Sequence, residues 1–369
     1  MGRARTGAPT WVYILPGVWD DSTVPVLISE TTRPAPVPAP RRGALARAGA
    51  ACAVVAAVVS GCSSSSLPQL SGFAQVRDLS ARTEAAAELR ARALSTAAVA
   101  CASCQQALGS LADESSTRLT ALGGLWDPWG GRPPEGAEEP APVSDAPVDV
   151  EGFVAWLAAT AERDLAAAAD PTTTESGDDA RTLAAIALGR YRSAQSLASV
   201  YGISVTTGAA RAESANQRLN GLSGAGVQTW GVQDFHTSPL PALPFGRADQ
   251  GLASSPALSA AVASWDCVAQ MLPRNRVSGE PLADADERAE ELMVRADQAL
   301  SAGVADARTV RCSLPSSSPA DLAVDLVAAD VSLLASDSAP VRAVGVNTAL
   351  TDITRWGSVA AFGAVIGVQ

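Results

Sequence analysis

Cys101-Ala-Ser-Cys104 is the first group in this chain whose residue types and spacing could do chemistry. Two thiols three residues apart suit a dithiol–disulfide couple, half of a zinc site, a haem attachment or a structural bridge. Haem attachment needs a histidine directly after the second cysteine, and Gln105 stands there. A four-cysteine zinc site needs a second close pair, whereas Cys267 and Cys312 are widely separated. A thioredoxin-like couple sits at a helix start after a strand, and no alternating strand pattern precedes Cys101.

Other candidates are sparse. The single histidine, His236, lies in the Pro-rich run WGVQDFHTSPLPALPF, beside Asp234. A hydrolase would also need a serine within hydrogen-bond reach, and no Gly-x-Ser-x-Gly elbow exists. All 27 basic residues are Arg. Schiff-base chemistry, a Walker-type phosphate lysine and a lysine general base are therefore excluded. Acids cluster in LADADERAEELM, residues 282–293. Asp284 and Asp286 start like a calcium loop, but no glycine follows at the sixth position and Arg295 occupies the place of the closing glutamate. That spacing reads as a solvated helix face, and Asp321, Asp325 and Asp330 read the same way on another helix. Trp126 and Trp129, in the WDPWGG turn, could stack on sugars or anchor a partner. They are the best sequence-level candidate for a binding surface. Arg190-Tyr191-Arg192 reads as a core-facing tyrosine between exposed arginines.

The stretch RRGALARAGAACAVVAAVVSGCSSSS, residues 41–66, bears on compartment. Arg41, Arg42 and Arg47 form a basic start. Residues 48–60 are thirteen small apolar residues, the length of a signal-peptide core and short of the ~20 that span a bilayer. Val59-Ser60-Gly61-Cys62 follows. This order resembles a bacterial lipobox of the actinobacterial type. The resemblance implies cleavage before Cys62, diacylglycerol on its sulfur, and a body held on the extracytoplasmic face of the cell membrane. Some 36 residues precede the signal, including RPAPVPAPRR, which departs from the usual pattern. They read as an extension or as a start codon placed too early, with Val37 as the alternative start.

The charge divides along the same line. Residues 1–61 carry six Arg against Asp20, Asp21 and Glu30, a net of +3. The remainder carries 21 Arg against 35 acids, a net of −14, which repels nucleic acid.

The elements that must position these residues are helices. The composition is rich in Ala and Leu and only 4% aromatic. A helical stretch is expected over 73–122, with at most one break. Its stripe is Leu94, Ala97, Cys101, Cys104, Leu108, Leu111, Ser115, Leu119 and Leu122. A loop follows at 123–150, then helices at 151–169, 178–201 and 207–221. Ser176 with Asp179 forms a capping-box-like start. After a second long loop, Ser255-Pro256 and Ser318-Pro319 mark helix starts. Helices are expected at 256–272, 282–302, 319–335 and 340–366.

The resulting expectation is an all-α, disulfide-stapled helical bundle, in one body or two packed lobes, with long Pro/Gly-rich loops. Residues 1–36 are the extension, 37–61 the signal, 62–71 a Ser-rich tether, 72–222 a helical lobe, 223–255 a connecting loop and 256–369 a second lobe. The lipobox and bundle together also resemble a ferritin-like family of unknown function found on actinobacterial lipoproteins. That resemblance implies only the fold, since di-iron sites need Glu-x-x-His on two helices. No metal or cofactor is implied.

Exported cysteines tend to pair. With Cys62 lipidated, Cys101, Cys104, Cys267 and Cys312 remain, which allows three connectivities. Bridging Cys101 to Cys104 within a continuous helix is geometrically poor, which favours two long-range staples to Cys267 and Cys312. The leading functional expectation is non-catalytic binding or scaffolding, with membrane lipid at Cys62 and a cell-envelope polymer or protein as partner. The alternatives are an envelope hydrolase using His236 between the lobes and a redox protein using Cys101 and Cys104.

Overall fold

The computed structural model describes residues 66–70, 72–203, 205, 250–274, 276–277, 280–312, 318–357, 359–360 and 362–367. The lipobox with Cys62, His236 and the 207–221 helix lie outside the described residues. Helix α1 runs Phe73–Ala97 and α2 runs Ala102–Ala121. They form an antiparallel hairpin, with Ser95 facing Gln105 at the tip and Glu84 facing Arg118 lower down. Helices α3 (Val150–Ala169) and α4 (Gly177–Tyr201) pair likewise and complete a four-helix unit.

After the short α5 (Gln250–Ala253), α6 (Pro256–Met271) packs on α7 (Ala285–Ser301). Helix α8 (Pro319–Ser332) ends in a 3-10 turn, Leu333–Ala335, and packs on α9 (Ala339–Trp356). Among the described residues the sole ladder is two residues long, Arg276–Val277 against Glu280–Pro281. The chain is all-α, as its composition and periodicity foretell.

Local chemistry sets the helix starts. Ser176, Ser255 and Ser318 accept hydrogen bonds from the N–H groups of Asp179, Leu258 and Asp321 at 3.1, 3.2 and 3.2 Å. Asp149 does the same for Gly152 at 2.7 Å. Each such cap stabilises its helix by about 1 kcal/mol.

Helices α1–α4 and α5–α9 share one continuous apolar core. It reaches from Leu108, Phe153 and Leu183 to Trp265, Leu326 and Val344. Arg342 of α9 crosses the join, donating to Thr174 Oγ1 at 2.7 Å and to the Ala168 carbonyl at 3.3 Å. Leu333 and Leu334 are fully buried and the 3-10 turn they start packs on α4, so packed side chains fill the space between α4 and α8.

The C-terminal segment differs from expectation. The helix expected over 340–366 stops at Trp356, and the apolar tail returns across α4 as an irregular strap. Arg192 donates to the Ala360 carbonyl at 3.3 Å and lies 5.6 Å from the Phe362 ring centroid, while Ile366 N–H reaches the Ala185 carbonyl at 3.1 Å. Gly189 of α4 makes this approach feasible, because a Cβ there would collide with the Ala364 carbonyl. Glycines 357, 363 and 367 weaken any helix in the tail, and burial against α4 decides its path.

Candidate functional site: the Cys101–Cys104 helix start and two buried ion clusters

The stretch expected over 73–122 with at most one break is broken once, at Ala98–Cys101, where the α1–α2 hairpin turns. Cys101 therefore leaves the helix and becomes the N-cap of α2. Its φ of −132° and ψ of 96° are extended, not helical. That removes the geometric objection to a local bridge. Cys101 and Cys104 form a disulfide with their Cα atoms 5.2 Å apart. The second disulfide joins Cys267 on α6 to Cys312, which lies between α7 and α8. The long-range staples expected from the first helix to Cys267 and Cys312 are thus replaced by a local Cys101–Cys104 bridge and a separate bridge between Cys267 and Cys312.

The two bridges do different work. Closing a loop of sequence separation 45 stabilises by about 4 kcal/mol in the chain-entropy model, against about 2 for separation 3. The first bridge also joins residues that the hairpin turn already holds together. At this site Cys101 Sγ accepts from the Cys104 N–H at 3.2 Å and lies 3.4 Å from Ser103 Oγ. Cys101 is half-buried and Cys104 is buried. The α2 first turn carries no acid, and the neighbouring Val99 is an exposed apolar side chain.

The interior of the four-helix unit holds an ion cluster. Glu84 on α1 accepts from Arg190 Nε at 2.8 Å on Oε1 and from Arg118 Nε at 2.9 Å on Oε2. Arg190 also donates to Asp164 Oδ2 at 2.8 Å and to Ser80 Oγ at 3.0 Å. Arg163 donates to Asp164 Oδ1 at 2.8 Å and to Thr83 Oγ1 at 3.1 Å. Arg118 reaches Ser115 and Ser193, and Ser193 donates to Glu114 at 2.6 Å. Every helix of the unit contributes. Glu84, Glu114 and Asp164 balance Arg118, Arg163 and Arg190.

Burial alone would raise the Asp164 carboxyl, but Arg163 and Arg190 outweigh it and hold the group below its ordinary range. Burial and the Arg190 charge together lower Arg163 against the pull of Asp164, whereas Glu84 and Asp164 more than offset burial at Arg190. Glu84 and Asp164 are thus occupied by guanidinium groups. Among the described residues no group of three or more His, Cys, Asp or Glu side chains could hold a metal ion. Arg190, expected to be exposed, is fully buried beside the buried Tyr191; Arg192 is half-buried. The partners that bury Arg190 lie 26 and 106 residues away, and no local pattern announces them.

A second cluster lies between α6, α7, α8 and α9. Asp330, expected on a solvated face, is fully buried. Its position follows Ala323 and Val327 on the buried stripe of α8, a signal legible in the sequence. Asp330 Oδ1 accepts from Trp265 Nε1 at 2.8 Å, while Oδ2 meets no donor. Arg295 grips Asp352 with two bonds of 2.7 and 2.8 Å and lies 5.4 Å from the Trp265 ring centroid. Burial and the neighbouring Asp352 charge push Asp330 well above the usual carboxylate range. As a neutral acid its Oδ2–H can donate to Asp352, which accounts for the missing donor. Burial opposes the charge of Arg295, but Asp352 more than offsets it and raises the guanidinium.

The acids at 284, 286, 287, 290 and 291 are exposed, as expected of a solvated face, and Asp321 is exposed as part of its cap. Trp126 and Trp129 are half-buried. The Trp126 N–H reaches Asp78 at 3.2 Å, and the Trp129 indole donates to the Glu138 carbonyl at 3.3 Å within their own loop. No protein-family model, curated protein or solved structure matches the chain.

Proposed function

We propose that this chain is an exported lipoprotein, anchored by Cys62 on the extracytoplasmic face of the cell membrane. Its helical body acts there as a binding or scaffolding element. The observation that carries the reading is the pairing of all four cysteines beyond Cys62 into disulfides. Such full pairing suits an oxidising compartment. Among the described residues no helix is long and apolar enough to cross a membrane. The non-catalytic role is supported by interiors in which Glu84, Asp164 and Asp352 are taken up by arginines rather than presented to a substrate. Trp126 and Trp129, with the loop around them, are the surface offered to an envelope polymer or protein.

Intact-mass measurement of the membrane-extracted chain tests the anchor. The expected mass is that of a chain beginning at Cys62 and carrying diacylglycerol. An unacylated cytosolic chain that keeps residues 1–61 would refute it. Replacing both tryptophans with alanine should abolish retention on isolated cell envelopes while leaving the circular dichroism intact. Unchanged retention rejects that surface.

A further inference from the structure

We propose that Cys101 and Cys104 form a thiol–disulfide exchange site that accepts two electrons from a protein dithiol. The exchange chemistry does not rest on the lipid anchor. It rests on how the α1–α2 turn presents the pair. Cys101 caps α2 as a half-buried residue, and Cys104 sits one turn in, buried. An incoming thiolate therefore meets Cys101 Sγ and not Cys104 Sγ. The exposed Val99 beside Cys101 supplies apolar surface on which a partner chain can rest during the encounter.

The steps balance. A partner thiolate attacks Cys101 Sγ, forming a mixed disulfide and breaking the Cys101–Cys104 bond. Cys104 Sγ leaves as a thiolate and takes a proton from water. The partner's second thiolate then attacks its own sulfur in the mixed disulfide. Cys101 leaves as a thiolate, favoured by the Cys104 N–H now pointing at it and by the start of α2. The partner ends as a disulfide, and the pair ends as a dithiol.

The hairpin does not need this bridge to persist. Ser95 and Gln105 exchange hydrogen bonds at 3.3 Å across the turn, and Glu84 ties α1 to α2 through Arg118. The site can therefore open while the fold stays closed. Cys267 and Cys312 are both half-buried, as Cys101 is, but their bridge closes a long loop and sits at no helix start, so the same molecule carries a control matched in exposure.

The test uses the oxidised full chain and a synthetic peptide carrying two thiols. Samples are quenched in acid and alkylated, and each cysteine is quantified by mass. Cys101 and Cys104 should become alkylated at least about tenfold faster than Cys267 and Cys312. The peptide should be oxidised in equal amount and the helical signal unchanged. Two variants then separate the sulfurs. Offered the oxidised peptide, the Cys104→Ser chain should trap a mixed disulfide at Cys101. The Cys101→Ser chain, whose remaining thiol is buried, should trap about tenfold less. Equal opening of both bridges, opening that occurs only as helicity collapses, or equal trapping by the two variants would each overturn the proposal.

Discussion

Replacing Asp330 with asparagine should remove a pH-dependent weakness from the core between α6, α7, α8 and α9. Asp330 is fully buried, receives Trp265 Nε1 on one oxygen, meets no donor at the other and feels the charge of Asp352, which is already committed to Arg295. Burial first, and Asp352 second, raise its folded pKa above the unfolded value of about 3.9. Between those two values the folded chain binds a proton that the unfolded chain has lost. Stability from this group is therefore full below the unfolded pKa and declines as pH rises through the window. The slope for one proton is about 1.4 kcal/mol per pH unit at its steepest. Asparagine keeps an oxygen for Trp265 and offers an N–H to Asp352, without a proton to lose. Near pH 4 the two proteins should have similar urea midpoints. As pH is raised to 7 the variant should become progressively more stable than the parent. The measurement is urea unfolding at several pH values with the slope m held to be common. A stability difference that stays flat from pH 4 to 7, or an Asp330→Asn chain weaker throughout, would refute the reasoning that the carboxyl is neutral.

Three further outcomes follow from the same contacts. Glu84→Gln should cost about 3–5 kcal/mol in urea unfolding, because the buried cluster is left with Arg118, Arg163 and Arg190 against only Glu114 and Asp164; a loss below about 1 kcal/mol would show the cluster to be solvated. Gly189→Ala should cost about 1–3 kcal/mol by driving the 360–366 strap off α4. In a chain truncated after Trp356 the same substitution should cost nothing measurable. Removing the Cys267–Cys312 bridge by double serine substitution should lower stability by about 4 kcal/mol and removing Cys101–Cys104 by about 2, read from denaturant midpoints; the reverse order would contradict the loop-entropy account.

Much of the helical framework was legible because its signals are local. The serine caps at 176, 255 and 318 and the stripes of α2 and α8 are written within a few residues of where they act. The α1–α2 break was harder to read. Residues 95–101, STAAVAC, contain no proline or glycine, and the turn is imposed by antiparallel packing of the two helices. The cysteine pairing followed from that break, which is why the long-range connectivity expected from sequence fails. The tail failed for a similar reason: its apolar residues suit a helix or a buried strap equally, and the groove beside Gly189 chooses the strap. The ion cluster was invisible for a deeper reason. Glu84, Arg118, Asp164 and Arg190 each look like ordinary helix-surface residues until four helices bring them together.

That cluster also constrains how the chain can diverge. Losing any one of Glu84, Arg118 or Arg190 strands a charge inside the bundle, whereas losing Glu84, Glu114, Asp164, Arg118, Arg163 and Arg190 together to apolar residues of similar volume would be tolerated. Natural variants should therefore keep the whole set or discard it as a block, with single exchanges purged. Distant kin would then be recognised less by overall identity than by these interior positions changing in concert.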